Sequence, residues 1–125
     1  MATDLIVDIG SIFLVYKYHD TTLKDLWDRS LLSRRDIVQI GIQLIAGAES
    51  IHSCGYVHTD LKLDNIMIDA QNQVFIIDYG NCQKFLLPNG THRPNGSGPH
   101  KFVNVHFGSK NAMNKETLSR RDDLI

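Results

Sequence analysis

Residues Arg34 to about Cys54 carry the clearest pattern in the chain. Ile37, Ile40, Leu44, Ala48 and Ile51 recur at helical spacing and form one apolar stripe. Ser33 stands at the N-cap position, and Asp36 suits the electrostatics of the first turn. Gly55 sits where a left-handed C-cap is wanted. The pattern then changes period. Asn65 to Ile68 (NIMI) and Val74 to Ile77 (VFII) are apolar runs separated by Asp69, Ala70, Gln71 and Asn72. Such runs around a turn-forming cluster predict a hairpin with a four- or five-residue loop. A core helix running into a hairpin therefore occupies the middle of the chain.

The flanks are shorter and less regular. Ile12 to Tyr16 (IFLVY) predicts a buried strand, and Lys17 to Asp20 a polar connector. Thr22 opens a short helix, TLKDLWDR, with Leu23, Leu26 and Trp27 on one face. Leu87 to Gly98 is rich in Pro, Asn and Gly and predicts a mobile surface loop. From Lys110 onward the pattern becomes helical again.

Composition bounds the function classes. At 125 residues there is room for one small domain. The formal charge of −1 gives no global pull on nucleic acid or on an anionic membrane, so neither is expected as a partner. Apolar residues at 42% argue against wholesale disorder. No apolar run is long enough to span a bilayer, and no secretory signal is visible at the N-terminus. Cys54 and Cys82 make no disulfide framework and read as reduced, inert thiols of a cytoplasmic or nuclear protein.

The chemistry lies between Tyr56 and Gly80. That segment contains His58-Thr59-Asp60-Leu61-Lys62-Leu63-Asp64-Asn65, and eighteen positions after Asp60 comes Asp78-Tyr79-Gly80. Phosphoryl transfer needs a carboxylate near the acceptor hydroxyl, cations to offset charge on the transferring group, and oxygen ligands for Mg²⁺. Asp60 can be the carboxylate. Lys62, two residues on in an extended loop, points the same way and can meet a phosphate oxygen. Asn65 and Asp78 are hard oxygen ligands, and the hairpin between them brings the loop and Asp78 together. The spacing H-x-D-x-K-x-x-x-N arises by chance in roughly one chain per thousand of this length. Asp-Tyr-Gly beyond the hairpin makes coincidence rarer still.

These residues resemble the catalytic loop and Asp-Phe-Gly motif of eukaryotic protein kinases. Upstream, IFLVYKYHDTTLKDLW resembles the fifth strand, hinge and following helix. Downstream, Ser109-Lys110-Asn111 and Ser119-Arg120-Arg121-Asp122-Asp123-Leu124 resemble the casein kinase 1 branch. The resemblance implies an α+β, protein-kinase-like fold, mainly the helical large lobe with a short catalytic-loop hairpin. It implies one partial kinase domain over 1–125: the end of the small lobe at 1–16, the hinge at 17–21, and an incomplete large lobe at 22–125. It further implies ATP and Mg²⁺ as cofactors and a protein serine or threonine hydroxyl as acceptor. On it, Asp60 is the catalytic base and Lys62 contacts the γ-phosphate. Asn65 and Asp78 bind the metal and nucleotide phosphates. Tyr16 is the gatekeeper, with Lys17, Tyr18 and His19 as the hinge beside adenine. Asp123 braces the backbone of the catalytic loop.

Several positions depart from the pattern. Thr59 stands where many kinases have an Arg that receives an activation-loop phosphate, which argues against control by such a phosphate. Leu63 replaces a common Pro, and Tyr79 replaces Phe. Val103 to His106 replaces the usual Gly-Thr-Ala-Arg, which removes a basis for inferring acidic or pre-phosphorylated sites. No Gly-rich loop, strand-three Lys or helix αC Glu can be placed before Ile12, so the chain resembles the middle of a kinase. A catalytically inactive kinase-like remnant or binding module is accordingly the second expectation. A small-molecule phosphotransferase of the aminoglycoside or choline kinase type shares H-x-D-x-x-x-x-N, but Lys62 and SRRDDL favour protein kinases. Of the remaining residues, His58 reads as structural beside the Asp78 turn and Asp64 as a loop or capping acid. His52, His92 and His100 read as surface, and Arg120 and Arg121 as either a solvated helix start or an anion site.

Overall fold

The computed structural model describes residues 4–8, 11–15, 18–19, 21–96 and 106–124. Its centre is the expected helix. Ser33 Oγ accepts from the Asp36 amide at 3.2 Å, and Asp36 Oδ2 accepts from the Ser33 amide at 2.9 Å. This reciprocal capping box satisfies two otherwise orphaned donors and starts α2, Arg34–Ser53. Cys54 closes the helix, and Gly55 follows at φ +81, a conformation that a Cβ would oppose.

The hairpin lies against this helix. Strand β5 (Ile66–Ile68) pairs antiparallel with β6 (Val74–Ile76), with Met67 opposite Phe75. Each strand is one residue shorter than expected, because Asn65 belongs to a 3₁₀ turn, Leu63–Asn65, and Ile77 leaves the ladder. In the loop, Asp69 Oδ1 accepts from the amides of Gln71 and Gln73, both at 2.9 Å, which explains how this polar cluster reverses the chain. Gln43 on α2 pins the far strand, donating to Asn72 O at 2.9 Å and accepting from the Val74 amide at 3.1 Å. A Cβ on Gly47 would come within 2.9 Å of Ile76 Cδ1, so helix and hairpin approach closely there.

Short elements complete the platform. Thr22 caps α1 (Leu23–Asp28), and β3 (Thr21–Thr22) adds a third strand beside β5, a pairing that local pattern does not encode. Leu23, Ile40, Ile66 and Ile68 form the buried cluster, with Leu26, Leu32, Leu44, Leu63 and Val74 packed against it. Burying each such side chain contributes about 1.5–3 kcal/mol. Trp27, expected on the same face, is 58% exposed. Leu23 and Leu26 supply the inward face of a helix only six residues long, and Trp27 lies beside its end. Ile37 is likewise 47% exposed, so the inward stripe of α2 begins at Ile40.

Two further antiparallel strand pairs are described. Strand β1 (Asp4–Asp8), not expected from the sequence, pairs with β2 (Ser11–Val15), which is the strand expected at Ile12 to Tyr16. Tyr16 and Lys17 fall outside the described residues. Strand β4 (Tyr56–Val57) pairs with β7 (Gln83–Lys84), which returns the chain beside the end of α2. The segment read as a mobile loop is hydrogen-bonded as far as it is described. Leu86 bridges to His92, Leu87 N donates to Thr91 O at 2.8 Å, and Thr117 Oγ1 donates to Pro94 O at 2.8 Å. The tail is less helical than its composition suggests. Helix α3 spans only Lys110–Met113, and left-handed Lys115 (φ 57) stops it before a 3₁₀ turn at Arg120–Asp123. Among the described residues, no helix is long and apolar enough to cross a membrane.

Removing the cap of α2 tests this account. Ser33→Ala is expected to cost about 1 kcal/mol, read as a lower urea midpoint at unchanged slope. An unaltered midpoint would mean that packing alone starts the helix.

Candidate active site

The residues singled out by spacing occupy an irregular loop between β4 and β5. Backbone amides in such a loop need partners, and a distant side chain supplies them. Asp123 Oδ2 accepts from the His58 amide at 2.8 Å, and Oδ1 accepts from the Thr59 amide at 2.8 Å. His52 Nε2 lies 2.8 Å from Asp123 Oδ2, and both side chains are almost fully buried. The surface reading of His52 is therefore wrong. Its partner lies 71 positions away, beyond the reach of any local pattern.

Held this way, the loop gathers three of the expected groups. Asp60 is buried. Lys62 Nζ donates to Asp60 Oδ2 at 2.9 Å. Asn65 Nδ2 donates to the Asp60 carbonyl at 2.9 Å and to Asp60 Oδ2 at 3.1 Å. The hydrogen bond that Lys62 donates to Asp60 raises the pKa of its ammonium above the ordinary value, and the charges of Asp60, Asp64 and Asp78 add to this against burial. Because both Asn65 partners are acceptors, its NH₂ must face Asp60, which turns Oδ1 the other way.

Asp78 arrives from the hairpin. Ile77 N donates to Asn65 O at 2.9 Å, so the residue before Asp78 is bonded to the other candidate metal ligand. Asp78 is exposed and left-handed, at φ 62 and ψ 68, and Oδ1 accepts from the Gly80 amide at 3.4 Å. The donor chemistry fits Mg²⁺: an amide oxygen and a carboxylate oxygen are both hard ligands. His58 is fully buried, and Nε2 meets Ile77 O at 3.0 Å, in keeping with a structural role beside the Asp78 turn. Of the residues expected to form a hinge, Tyr18 is 80% exposed, whereas His19 is buried and stacks on Phe75 at 4.2 Å between centroids.

The downstream motif splits its two acids. Asp123 turns to the loop. Asp122 accepts from Ser109 Oγ at 2.6 Å and Asn111 Nδ2 at 2.8 Å, and its other oxygen accepts from the Ser119 amide at 2.7 Å. Ser109-Lys110-Asn111 and the SRRDDL stretch are thus one connected structure. Arg120 lies over the Phe85 ring at 5.7 Å, and both Arg120 and Arg121 are exposed.

The loop thus holds a buried acid with a cation on it and an amide side chain beside it, and the Asp78 carboxylate follows the hairpin, a donor set of the kind that phosphoryl transfer needs. Comparison with known proteins agrees. The family described as protein kinase domain matches residues 2–119, and the chain belongs to that family. It is 31% identical over 117 residues to a probable casein kinase I homolog of Encephalitozoon cuniculi, covering 92% of this chain and 37% of that protein. It is 34% identical over 97 residues to the B1 kinase of Vaccinia virus (strain Western Reserve), covering 74% of this chain and 32% of the relative. It is 36% identical over 92 residues to human serine/threonine-protein kinase VRK2, covering 70% of this chain and 18% of the relative. The chain therefore spans about a third or less of the length of these relatives.

Two measurements probe the site. Asp123→Ala strips the acceptor from both loop amides and is expected to cost about 3 kcal/mol in urea unfolding. A loss below about 0.5 kcal/mol, ordinary for a surface change, would remove Asp123 from its bracing role. Burial, with the Asp123 and Asp78 carboxylates next, pushes the Cys82 thiol up to about 11. Only the thiolate is alkylated, and it forms as pH rises through that value. Iodoacetamide at pH about 8 should therefore modify exposed Cys54 well before Cys82, and similar rates would contradict the burial of Cys82.

Proposed function

We propose that the chain carries the catalytic loop of a serine/threonine protein kinase of the casein kinase 1-like branch. The observation that carries the reading is the cluster of Lys62 and Asn65 on the buried Asp60, in a loop whose His58 and Thr59 amides are fixed by the distant Asp123. Residues 1–16 would close a small lobe, 17–21 would form the hinge, and 22–125 would begin the large lobe.

Each side chain then has one task. Asp60 orients the acceptor hydroxyl and takes its proton as the γ-phosphoryl group passes from ATP to that oxygen, with ADP leaving. Lys62 offsets charge on the transferring group. Asn65 and Asp78 would hold Mg²⁺, which supplies electrostatic stabilisation to the phosphates. His58 and Asp123 act on the backbone and touch no substrate. The acceptor is a protein hydroxyl, and the two free thiols suit a reducing compartment, the cytoplasm or nucleus.

A kinase-like binding module is the second reading. It is favoured by the row Val38, Ile42 and Ile45 on α2, which is 57–64% exposed and offers an apolar surface to another molecule. One substitution separates the two. Asp60→Asn keeps the shape and removes the base, so transfer from Mg²⁺–ATP to dephosphorylated casein should fall about a hundredfold or more. Transfer by the parent protein that persists undiminished in Asp60→Asn would refute the assignment of Asp60. Absence of transfer by the parent would favour the module.

A further inference from the structure

Two residues of these segments are left-handed. Asp78 is at φ 62, and Thr59, in the loop of Asp60, is at φ 70. For a β-branched residue this conformation is costly, and it persists only where the surroundings over-determine it. Thr59 is held at both ends. Its amide donates to Asp123 Oδ1 at 2.8 Å, and its Oγ1 donates to Asn81 O at 2.9 Å. The neighbouring His58 Nε2 meets Ile77 O at 3.0 Å. Two adjacent loop residues therefore grip the carbonyls on either side of Asp78, one residue before it and three after. The His58 ring also meets Tyr79 edge-on at 5.3 Å, within the same turn.

We propose that Thr59 is a positioning residue whose hydroxyl clamps the turn carrying Asp78 onto the loop carrying Asp60. The inference rests on the kinase reading above and adds how its two halves are kept in register. The contact is a hydroxyl on a carbonyl and requires no charged partner. Spacing between the acid and the metal ligand is then set by folding, without a modification to bring it about. The clamp also accounts for the strained backbone: at φ 70 the amide reaches Asp123 while the side chain reaches Asn81.

Three substitutions in the full chain separate the hydroxyl from its backbone. Thr59→Val keeps the shape and loses the hydroxyl. Thr59→Ser keeps the hydroxyl. Thr59→Gly loses the hydroxyl and relaxes the left-handed strain, so it guards against a variant that merely fails to fold. Hydrogen exchange is read over residues 78–82, with kcat and KM for Mg²⁺–ATP and dephosphorylated casein measured alongside. Exchange there should rise about threefold to tenfold in the Val and Gly variants and stay near the parent rate in Ser. The same two variants should lose about threefold to tenfold in kcat at unchanged KM for casein, with Ser again close to the parent. Unchanged exchange in Val, a Ser variant as loose as Val, or a Gly variant that behaves as parent would overturn the clamp. A parent chain that transfers no phosphate would count against the kinase reading, while the exchange measurement still decides the clamp.

Discussion

The carboxylate of Asp123 bonds to the amides of His58 and Thr59 and meets the His52 ring, all at 2.8 Å. The loop from His58 to Lys62 has neither helix nor strand to satisfy its backbone, so without an internal acceptor those amides would stay with water and the loop would not hold one shape. Once they are fixed, Asp60 is buried and both Lys62 and Asn65 converge on it. The adjacent Asp122 faces a different set of partners, Ser109, Asn111 and the Ser119 amide. Two neighbouring acids thus join α2, the loop from His58 to Lys62, and α3.

The second support is the contact between α2 and the hairpin. Gln43 bonds to the hairpin backbone at Asn72 and Val74, and Gly47 admits Ile76 at close range. This sets where β6 ends, and Asp78 lies two residues beyond that end. Register in the hairpin then matters chemically, because Ile77 N reaches Asn65 O only when Ile66 pairs with Ile76. The protein kinase family to which the chain belongs and the geometry of its loop agree on one kind of chemistry. The proposed roles of Asp60, Lys62, Asn65 and Asp78 follow from that agreement.

Much of the site was legible because its spacing is local. Asp60, Lys62 and Asn65 lie within six residues of one another, so the conformation of one loop decides whether they meet. Helix α2 and its caps were legible for the same reason: Ser33, Asp36 and Gly55 act within a turn of the helix end. Where expectation failed, the deciding partner was far away. His52 looked like a surface residue because Asp123 is 71 positions distant, and Trp27 looked like core because periodicity does not say what covers a face. The loop at Leu87 looked mobile by composition, yet Thr117 and Ser119 fasten it from more than twenty positions away.

By itself, then, the sequence determined the long helix, the hairpin and which polar side chains one loop gathers, since helix periodicity, turn chemistry and motif spacing are short-range properties of the chain. The tertiary structure alone decided that Asp122 turns to Ser109 and Asn111, that β3 joins β5, and that Thr59 reaches Asn81. Those outcomes depend on which buried polar groups find one another once distant segments pack, and spacing along the chain carries no record of that.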